Sequence, residues 1–170
     1  MYHPHISIFA AMSENRVIGN GNVIPWHITP DLKRLSQKCQ QHTVILGRKT
    51  YESMDYYYGK YNKELPGKHY IIITSDKLYS PSRANTFVVH SFEEALQKAK
   101  EIEPDEIIIA GGQRVFTESL PFVDRLYLTL VKGNYEGDAF FPDYSEFTKV
   151  VEKEDQTYKE YSYTFLTLER

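Results

Sequence analysis

One carboxylate has neighbours that would suit proton chemistry. Asp31 follows Trp26, the single tryptophan, in the stretch RVIGNGNVIPWHITPDLKRL at positions 16–35. Apolar residues before and after Asp31 would desolvate its carboxylate and raise the pKa, as a group that handles protons near neutral pH requires. The same position also fits a solvated acid in the first turn of a helix, where the helix dipole favours an anion.

A helix and a glycine-containing loop are predicted to position Asp31. Thr29 is placed to cap the helix, and Leu32 and Leu35 form an apolar i, i+3 pair that would bury one helix face. Before the helix, glycine and asparagine alternate at positions 19–22 and favour a mobile loop. A loop, an aromatic ring and an acid beside an apolar face together predict a pocket.

Groups suited to an anionic ligand follow other predicted strands. They share a position just past an apolar run: Arg48, Lys49 and Thr50 after TVILG, Thr74 and Ser75 after KHYIII, and Gly111 and Gly112 after EIIIA. Open α/β sheets bind ligands at the carboxyl ends of their strands, and N–H groups at a helix start bind phosphates. A basic surface turn and a plain glycine turn fit the same residues.

Strands and helices are predicted to alternate along the chain. The predicted strands are 5–11, 43–46, 68–74, 86–89, 106–110 and 125–131, followed by an antiparallel pair at about 148–154 and 161–168. A capping box of Ser91 and Glu94 begins one helix, and residues 55–64 are predicted as an irregular surface loop. This order predicts one α/β domain over residues 1–170, three-layer and doubly wound, with a mostly parallel sheet and an antiparallel C-terminal edge hairpin.

The composition excludes several classes of protein. Of the 170 residues, 20 are Lys or Arg and 23 are Asp or Glu, and the net charge of −3 gives no basic field for a nucleic acid. Cys39, the single cysteine, rules out an internal disulfide and is expected to be a small buried or half-buried hydrophobe. The six histidines lack the paired spacing of a metal site, so no metal is expected. Without a signal-peptide pattern or a membrane-spanning apolar run, we expect a cytoplasmic protein that binds no membrane.

Six motifs in a fixed order give the chain a resemblance to the dihydrofolate reductase family over nearly its whole length. They are IGNGNVIPWHITPDLKRL from Ile18, VILGRKTYES from Val44, LPGKHYIIITS from Leu65, IIIAGGQRVF from Ile107, LYLTLV from Leu126 and EGDAFFPDY from Glu136. The resemblance implies the family's fold and an NADPH-dependent reduction of 7,8-dihydrofolate to tetrahydrofolate, with hydride transfer to C6 and protonation at N5. Such an enzyme would supply one-carbon and thymidylate metabolism and bind antifolate-like small molecules. The sequence does not give the oligomeric state, and a monomer is the simplest expectation.

The resemblance also implies a role for individual residues. Asp31, Thr129 and Trp26 match the catalytic group, in which the threonine bonds the carboxylate and the tryptophan orders a water. Residues that match the substrate contacts are Phe9, Ala11, Leu32, Leu35, Met54, Leu65, Lys68 and Ala110. Residues that match the NADPH contacts are Ala11, Ile18, Gly19, Asn22, Gly47, Arg48, Lys49, Thr50, Thr74, Ser75, Gly111, Gly112, Gln113, Arg114 and Val115, with Gly111 and Gly112 joined by a cis peptide.

A loop at 12–26 resembles the family's lid, and Gly137 and Asp138 match the loop that braces it. The chain departs from the family at Lys68, where an arginine binds the α-carboxylate of the substrate's glutamate tail. The 55–64 segment is also longer than usual. Phe9 is larger and Ala110 smaller than usual, and we expect the two changes to compensate in volume.

Two other functions fit parts of the sequence. A related reductase of the same fold, acting on a ribosylaminopyrimidine in riboflavin synthesis, would keep NADPH but would not require Trp26 paired with Asp31. A nucleotide- or pterin-binding module without turnover would be compatible with Lys68 and the longer segment. Replacing Asp31 with asparagine separates these functions, because a reductase would lose most hydride transfer whereas a binding module would only change its affinity.

Overall fold

Ten strands and four helices make up the regular structure of residues 3–170, the part of the chain that the computed structural model describes. In chain order they are β1 (His5–Ser13), β2 (Val17–Gly19), α1 (Thr29–Cys39), β3 (Thr43–Gly47), α2 (Arg48–Lys60), β4 (His69–Ile73), β5 (Thr86–Val89), α3 (Phe92–Ile102), β6 (Glu106–Gly111), α4 (Gln113–Ser119), β7 (Arg125–Val131), β8 (Ala139–Phe140), β9 (Lys149–Tyr158) and β10 (Tyr161–Glu169). A short 3₁₀ turn, Leu120–Phe122, follows α4.

Eight of the strands form one sheet in the order β5-β4-β3-β6-β1-β7-β10-β9. The six strands from β5 to β7 pair in parallel, whereas β10 pairs antiparallel with both β7 and β9. The predicted mostly parallel sheet with an antiparallel C-terminal edge is therefore confirmed. All parallel strands end at the same edge of the sheet, which brings the loops after β1, β3, β4, β6 and β7 together.

The sheet is covered on both faces, which gives the three predicted layers. Helices α3 and α4 pack on one face through a core that includes Ile107 and Ile109 of β6. Helices α1 and α2 pack on the other face, where Ile108 points. Because side chains alternate along a strand and both faces are covered, all three isoleucines are fully buried, and the apolar run in β6 is continuous.

Two local predictions are wrong. Residues 55–64 are not an irregular loop, because α2 continues to Lys60. Tyr51, Met54 and Tyr58 stand at i, i+3 and i+7 and pack into the core beside α1, while the polar residues between them take the solvent side. Thr29 does not cap α1: Ile28 is the N-cap residue, and the Thr29 hydroxyl accepts a hydrogen bond from the Tyr158 hydroxyl at 3.1 Å.

Two other local predictions hold wholly or in part. Ser91 caps α3, since its hydroxyl accepts from the Glu94 N–H at 3.1 Å. The Glu94 carboxylate accepts from the N–H of His90 rather than from that of Ser91, so the capping box is displaced by one residue. Cys39 is fully buried at the end of α1, as its expected role as a small hydrophobe requires.

Candidate functional site

A buried carboxylate and a hydroxyl meet at the carboxyl-end edge of the sheet. The Thr129 hydroxyl of β7 donates a hydrogen bond to Oδ1 of Asp31 at 2.5 Å, and the Asp31 residue is only 9% exposed. Thr129 lies directly across from Ala11 of β1, so two central strands hold the partner of the acid in place. The predicted contact between Asp31 and Thr129 is therefore present in the fold.

Burial decides the protonation of Asp31. The pKa of its carboxyl is raised from 3.8 to about 6, because desolvation outweighs the Thr129 hydrogen bond and the positive charge of Arg34, both of which lower the pKa. The group therefore exchanges its proton within one or two pH units of neutrality. A carboxyl with this property is suited to both hydrogen bonding and proton transfer.

Trp26 belongs to a small apolar cluster next to the acid. It packs with Ile28, Val131 and Tyr163, and Ala11 contacts the same cluster. The indole ring is 7% exposed and meets the ring of Tyr135 edge to face at 5.2 Å. This cluster fixes the chain between the loop and α1, the helix that carries Asp31.

Most of the predicted substrate residues come together on one face of the sheet. The hydrophobic core beside α1 and α2 contains Phe9, Leu35, Met54, Leu65 and Ala110. Phe9, which is larger than usual in the family, and Ala110, which is smaller, therefore lie in the same cluster. Leu32 is half-buried on α1. Lys68 is different, because its side chain is exposed and its hydrogen bonds come from the backbone. Its N–H donates to the His42 carbonyl at 2.9 Å, and its carbonyl accepts from the side-chain amide of Asn85 at 3.2 Å.

The starts of α2 and α4 lie side by side at the same edge. A Cβ atom added to Gly47 would lie 3.8 Å from the carbonyl oxygen of Gly111 and 3.9 Å from the nitrogen of Gly112. A Cβ atom on Gly112 would lie 3.5 Å from the Thr50 hydroxyl, and the peptide between Gly111 and Gly112 is cis. Side chains at these glycines would fill the space between the two helix starts.

These two helix starts differ from the other two in charge. Helices α1 and α3 have acidic residues in their first turn, whereas α2 and α4 have none, and no side chain caps either of them. Their first N–H groups and the positive ends of their dipoles are therefore available to an anion. The side chain of Val115 supports the arrangement, since its Cγ2 would lie 3.7 Å from a Cβ at Gly47.

The remaining predicted cofactor residues near the starts of α2 and α4 differ in burial and in their partners. The Arg48 guanidinium is 3.4 Å from the Asp76 carboxylate and 5.5 Å from the centre of the Tyr79 ring. Thr74 is buried and its hydroxyl accepts from the Asp76 N–H, whereas Ser75 and Lys49 are exposed. The Arg114 side chain is 89% exposed and pairs with Glu118 along α4.

The loop from Met12 to Trp26 is held by the segment around β8. Strand β2, which contains Ile18 and Gly19, pairs with β8, and the Asp138 carboxylate accepts from the N–H of Gly21 at 3.2 Å. A Cβ atom on Gly137 would overlap the side chain of Val17. Asn22 is exposed, with a left-handed φ of 65°. The predicted bracing of this loop by residues 137 and 138 thus corresponds to direct contacts.

Sequence reasoning missed two elements of the site. Gln113 does more than begin α4, because its side-chain oxygen accepts from the N–H of Phe140 at 2.7 Å and joins the start of α4 to the β8 segment. Arg34 is buried one helical turn after Asp31. The i, i+3 spacing of the two charged residues was a signal that they share a helix face.

Residues 3–170 contain no group of three or more His, Cys, Asp or Glu side chains that could hold a metal ion. Over the same range, no helix combines the length and the apolar character needed to cross a membrane.

A doubly wound sheet of this order, with a buried acid and two uncapped helix starts at its carboxyl-end edge, defines an α/β protein with a candidate ligand site at that edge. The sequence model of the dihydrofolate reductase family matches residues 5–170. The chain therefore belongs to the dihydrofolate reductase family.

Individual relatives agree with this assignment. Dihydrofolate reductase of Staphylococcus aureus is 36% identical over 140 residues, which cover 82% of this chain and 79% of the relative. That of Bacillus subtilis (strain 168) is 34% identical over 169 residues, covering 97% and 94%. A solved structure of dihydrofolate reductase from Enterococcus faecalis, complexed with NADP(H) and RAB-propyl, has 32% identity and a TM-score of 0.83 over 99% of this chain and 98% of that one.

Proposed function

We propose that this protein reduces 7,8-dihydrofolate to 5,6,7,8-tetrahydrofolate with NADPH, by hydride transfer to C6 and protonation at N5. The observation that supports this proposal most directly is the buried carboxylate of Asp31, bonded by Thr129 at the edge of the sheet where ligands bind. The product would serve one-carbon and thymidylate metabolism.

Asp31 acts on the pterin ring in this proposal. One carboxylate can accept two parallel hydrogen bonds from an amidine-like edge, formed by a ring nitrogen and an amino group. The Thr129 hydroxyl fixes the rotamer of the carboxylate. Because its pKa is about 6, Asp31 is partly protonated near neutral pH and can promote protonation at N5.

Trp26 and the loop at 12–26 protect the reacting atoms from bulk water. The buried indole forms one wall beside Ala11, and a water held there by Trp26 would carry the proton toward N5. Closure of the loop would exclude other water and strengthen the electrostatic interactions inside the site. The contacts of Asp138 with the loop hold this segment over the sheet edge.

The space between Gly47, Gly111 and Gly112 and the uncapped starts of α2 and α4 fit a dinucleotide. When bound, NADPH supplies the hydride. Backbone N–H groups of Gly112, Gln113 and Arg114 would bind the pyrophosphate, with Gly47, Gly111 and Val115 shaping the space between the two helix starts.

The other ends of the cofactor would contact neighbouring segments. The phosphates at the start of α2 would be bound by Arg48, Lys49 and Thr50, and the adenosine end by Thr74 and Ser75. Ile18, Gly19 and Asn22 would cover the nicotinamide next to Ala11.

Arg48 is the residue that would select NADPH over NADH. Its guanidinium can make a bidentate contact with a 2′-phosphate, which NADH lacks. Its partners Asp76 and Glu52 lie at 3.4 and 3.6 Å and are themselves exposed, so the guanidinium stays near the protein surface.

The glutamate tail of the substrate would be held differently from the family pattern. The Lys68 ammonium is a point charge and cannot donate the two parallel hydrogen bonds that an arginine guanidinium gives to a carboxylate. This difference would weaken binding of the glutamate tail by roughly 1–3 kcal/mol. Lys60 or Lys63, beside the tyrosines at the end of α2, would take over part of this role. Lys68→Arg should then lower the KM for dihydrofolate and leave that of a tail-less dihydropterin unchanged, whereas an unchanged KM for dihydrofolate would remove this part of the proposal.

The loss of NADPH absorbance on adding dihydrofolate, followed over a pH series, tests the proposed reaction. We expect turnover to fall as pH rises through the ionisation of Asp31, and to be largely lost in Asp31→Asn. Asp105→Asn is a matched control, since it removes the same charge from an exposed position. NADPH that binds but is not consumed with dihydrofolate would refute the proposal.

A further inference from the structure

Arg34 is a buried arginine that none of the proposed steps uses. The residue is 7% exposed, and its guanidinium carbon lies 4.5 Å from the centre of the Phe165 ring and 5.9 Å from those of Phe9 and Tyr127. An arginine keeps its charge in proteins, and a buried charge is unfavourable unless it is paired and hydrogen-bonded. Its guanidinium therefore requires hydrogen-bond acceptors, and one of them belongs to the residue that precedes Thr129, the partner of the candidate catalytic acid.

The guanidinium joins α1 to the strands beneath the site. Nη1 donates to the carbonyl oxygen of Leu128 at 3.2 Å, and Nη2 donates to the Thr167 hydroxyl at 3.2 Å. Leu128 directly precedes Thr129, whose hydroxyl bonds Asp31. Helix α1 is therefore tied to β7 twice, once through each of two charged residues one turn apart.

We propose that Arg34 is a positioning residue for Asp31, which fixes the strand that carries Thr129 and places a permanent positive charge behind the carboxylate. This inference rests on the proposed reductase function, in which Asp31 is the group that handles the proton. The guanidinium favours the charged form of Asp31 and lowers its pKa, so it opposes the larger effect of desolvation.

Other charged and titratable groups face this pair. Glu152 of β9 lies 3.8 Å from Nη2 of Arg34, and its side chain is 53% exposed. Glu154 of β9 and Tyr127 of β7 also act on the guanidinium, and Tyr163 of β10 faces Asp31. Because Glu152 partly offsets the positive charge, Arg34 and Glu152 should have opposite effects on the titration of Asp31.

The test compares the titration of Asp31 in the wild type, Arg34→Met, Arg34→Lys and Glu152→Gln. The direct measurement is the ¹³C shift of the Asp31 carboxyl against pH in the ligand-free protein, and the pH profile of single-turnover hydride transfer is recorded in parallel. We expect the midpoint to move to higher pH in Arg34→Met, to stay near the wild-type value in Arg34→Lys, and to move to lower pH in Glu152→Gln. Lys100→Gln, an exposed substitution on α3 that removes one positive charge, should leave the midpoint unchanged.

An Arg34→Met midpoint equal to or below that of the wild type would overturn the inference, because a purely structural arginine would change stability without a directed shift. Should Arg34→Met not fold, Arg34→Gln removes the charge while retaining a donor for the Leu128 carbonyl, and the same criterion applies to it. Failure of the proposed function would look different. The wild type would not consume NADPH with dihydrofolate, while the carboxyl titration would still report on Arg34.

Discussion

Replacing Asp31 with asparagine should make the protein more stable at neutral pH while removing most of its activity. The substitution keeps the shape of the side chain and an oxygen that can accept the Thr129 hydrogen bond. It removes the buried negative charge, which exists at neutral pH because Asp31 has lost its proton. Loss of a positioned general acid typically reduces a rate by about 10²- to 10⁴-fold, and we expect the hydride-transfer rate at pH 7 to fall within that range.

The size of the stability effect follows from the pKa of Asp31. In the folded protein the pKa is about 6, against 3.8 in an unfolded chain. Between these values the folded state binds a proton that the unfolded state has lost, so the free energy of unfolding falls as pH rises from about 4 to 6. At 1.36 kcal/mol for each pH unit, the decrease is about 3 kcal/mol. An asparagine side chain cannot titrate, so the variant escapes this loss.

Urea unfolding of the wild type and Asp31→Asn between pH 4 and pH 8 measures the effect. The variant should gain up to about 3 kcal/mol over the wild type above pH 7, and little at pH 4. Asp105→Asn, with its exposed side chain, controls for the change in net charge. A stability difference between Asp31→Asn and the wild type that stays constant from pH 4 to pH 8 would refute the assignment of a desolvated, proton-exchanging carboxyl.

Three further substitutions follow from the contacts of the site. Thr129→Val removes the hydrogen bond that lowers the pKa of Asp31, so the pH midpoint of hydride transfer should move upward. An unchanged midpoint would show that this hydrogen bond does not affect the pH dependence of hydride transfer. Gly137→Ala adds a methyl group that overlaps Val17, which should displace the loop and slow turnover without loss of NADPH affinity, as stopped-flow kinetics and cofactor titration would report. Arg48→Gln should reduce the preference for NADPH over NADH by roughly 10- to 100-fold in kcat/KM, the size expected for losing charged hydrogen bonds, and an unaltered ratio would place the 2′-phosphate elsewhere.

Local patterns in the sequence were sufficient for the eight strands of the main sheet, whereas the short strands β2 and β8 were not predicted. The apolar runs at β3, β4 and β6 predicted buried strands, because a strand covered on both faces carries a nearly continuous run of apolar residues. The antiparallel pair at the C-terminus followed from two adjacent strands joined by a short turn. The helix end at Lys60 was missed since tyrosines were read as a polar surface, although Tyr51 and Tyr58 are buried on the helix face that packs on the sheet.

By itself, the sequence determined the order of the helices and of the main-sheet strands, the acidic first turn of α1 and the glycines at the sheet edge, since all of these depend on neighbouring residues. Only the tertiary structure decided the chemical state of the site. The partner of Asp31 is 98 residues away, and those of Arg34 are 94 and 133 residues away. Desolvation and the field of a buried charge depend on what surrounds a group in space. The raised pKa of Asp31 and the burial of Arg34 beside it therefore arise only when the distant strands β7 and β10 pack beneath α1.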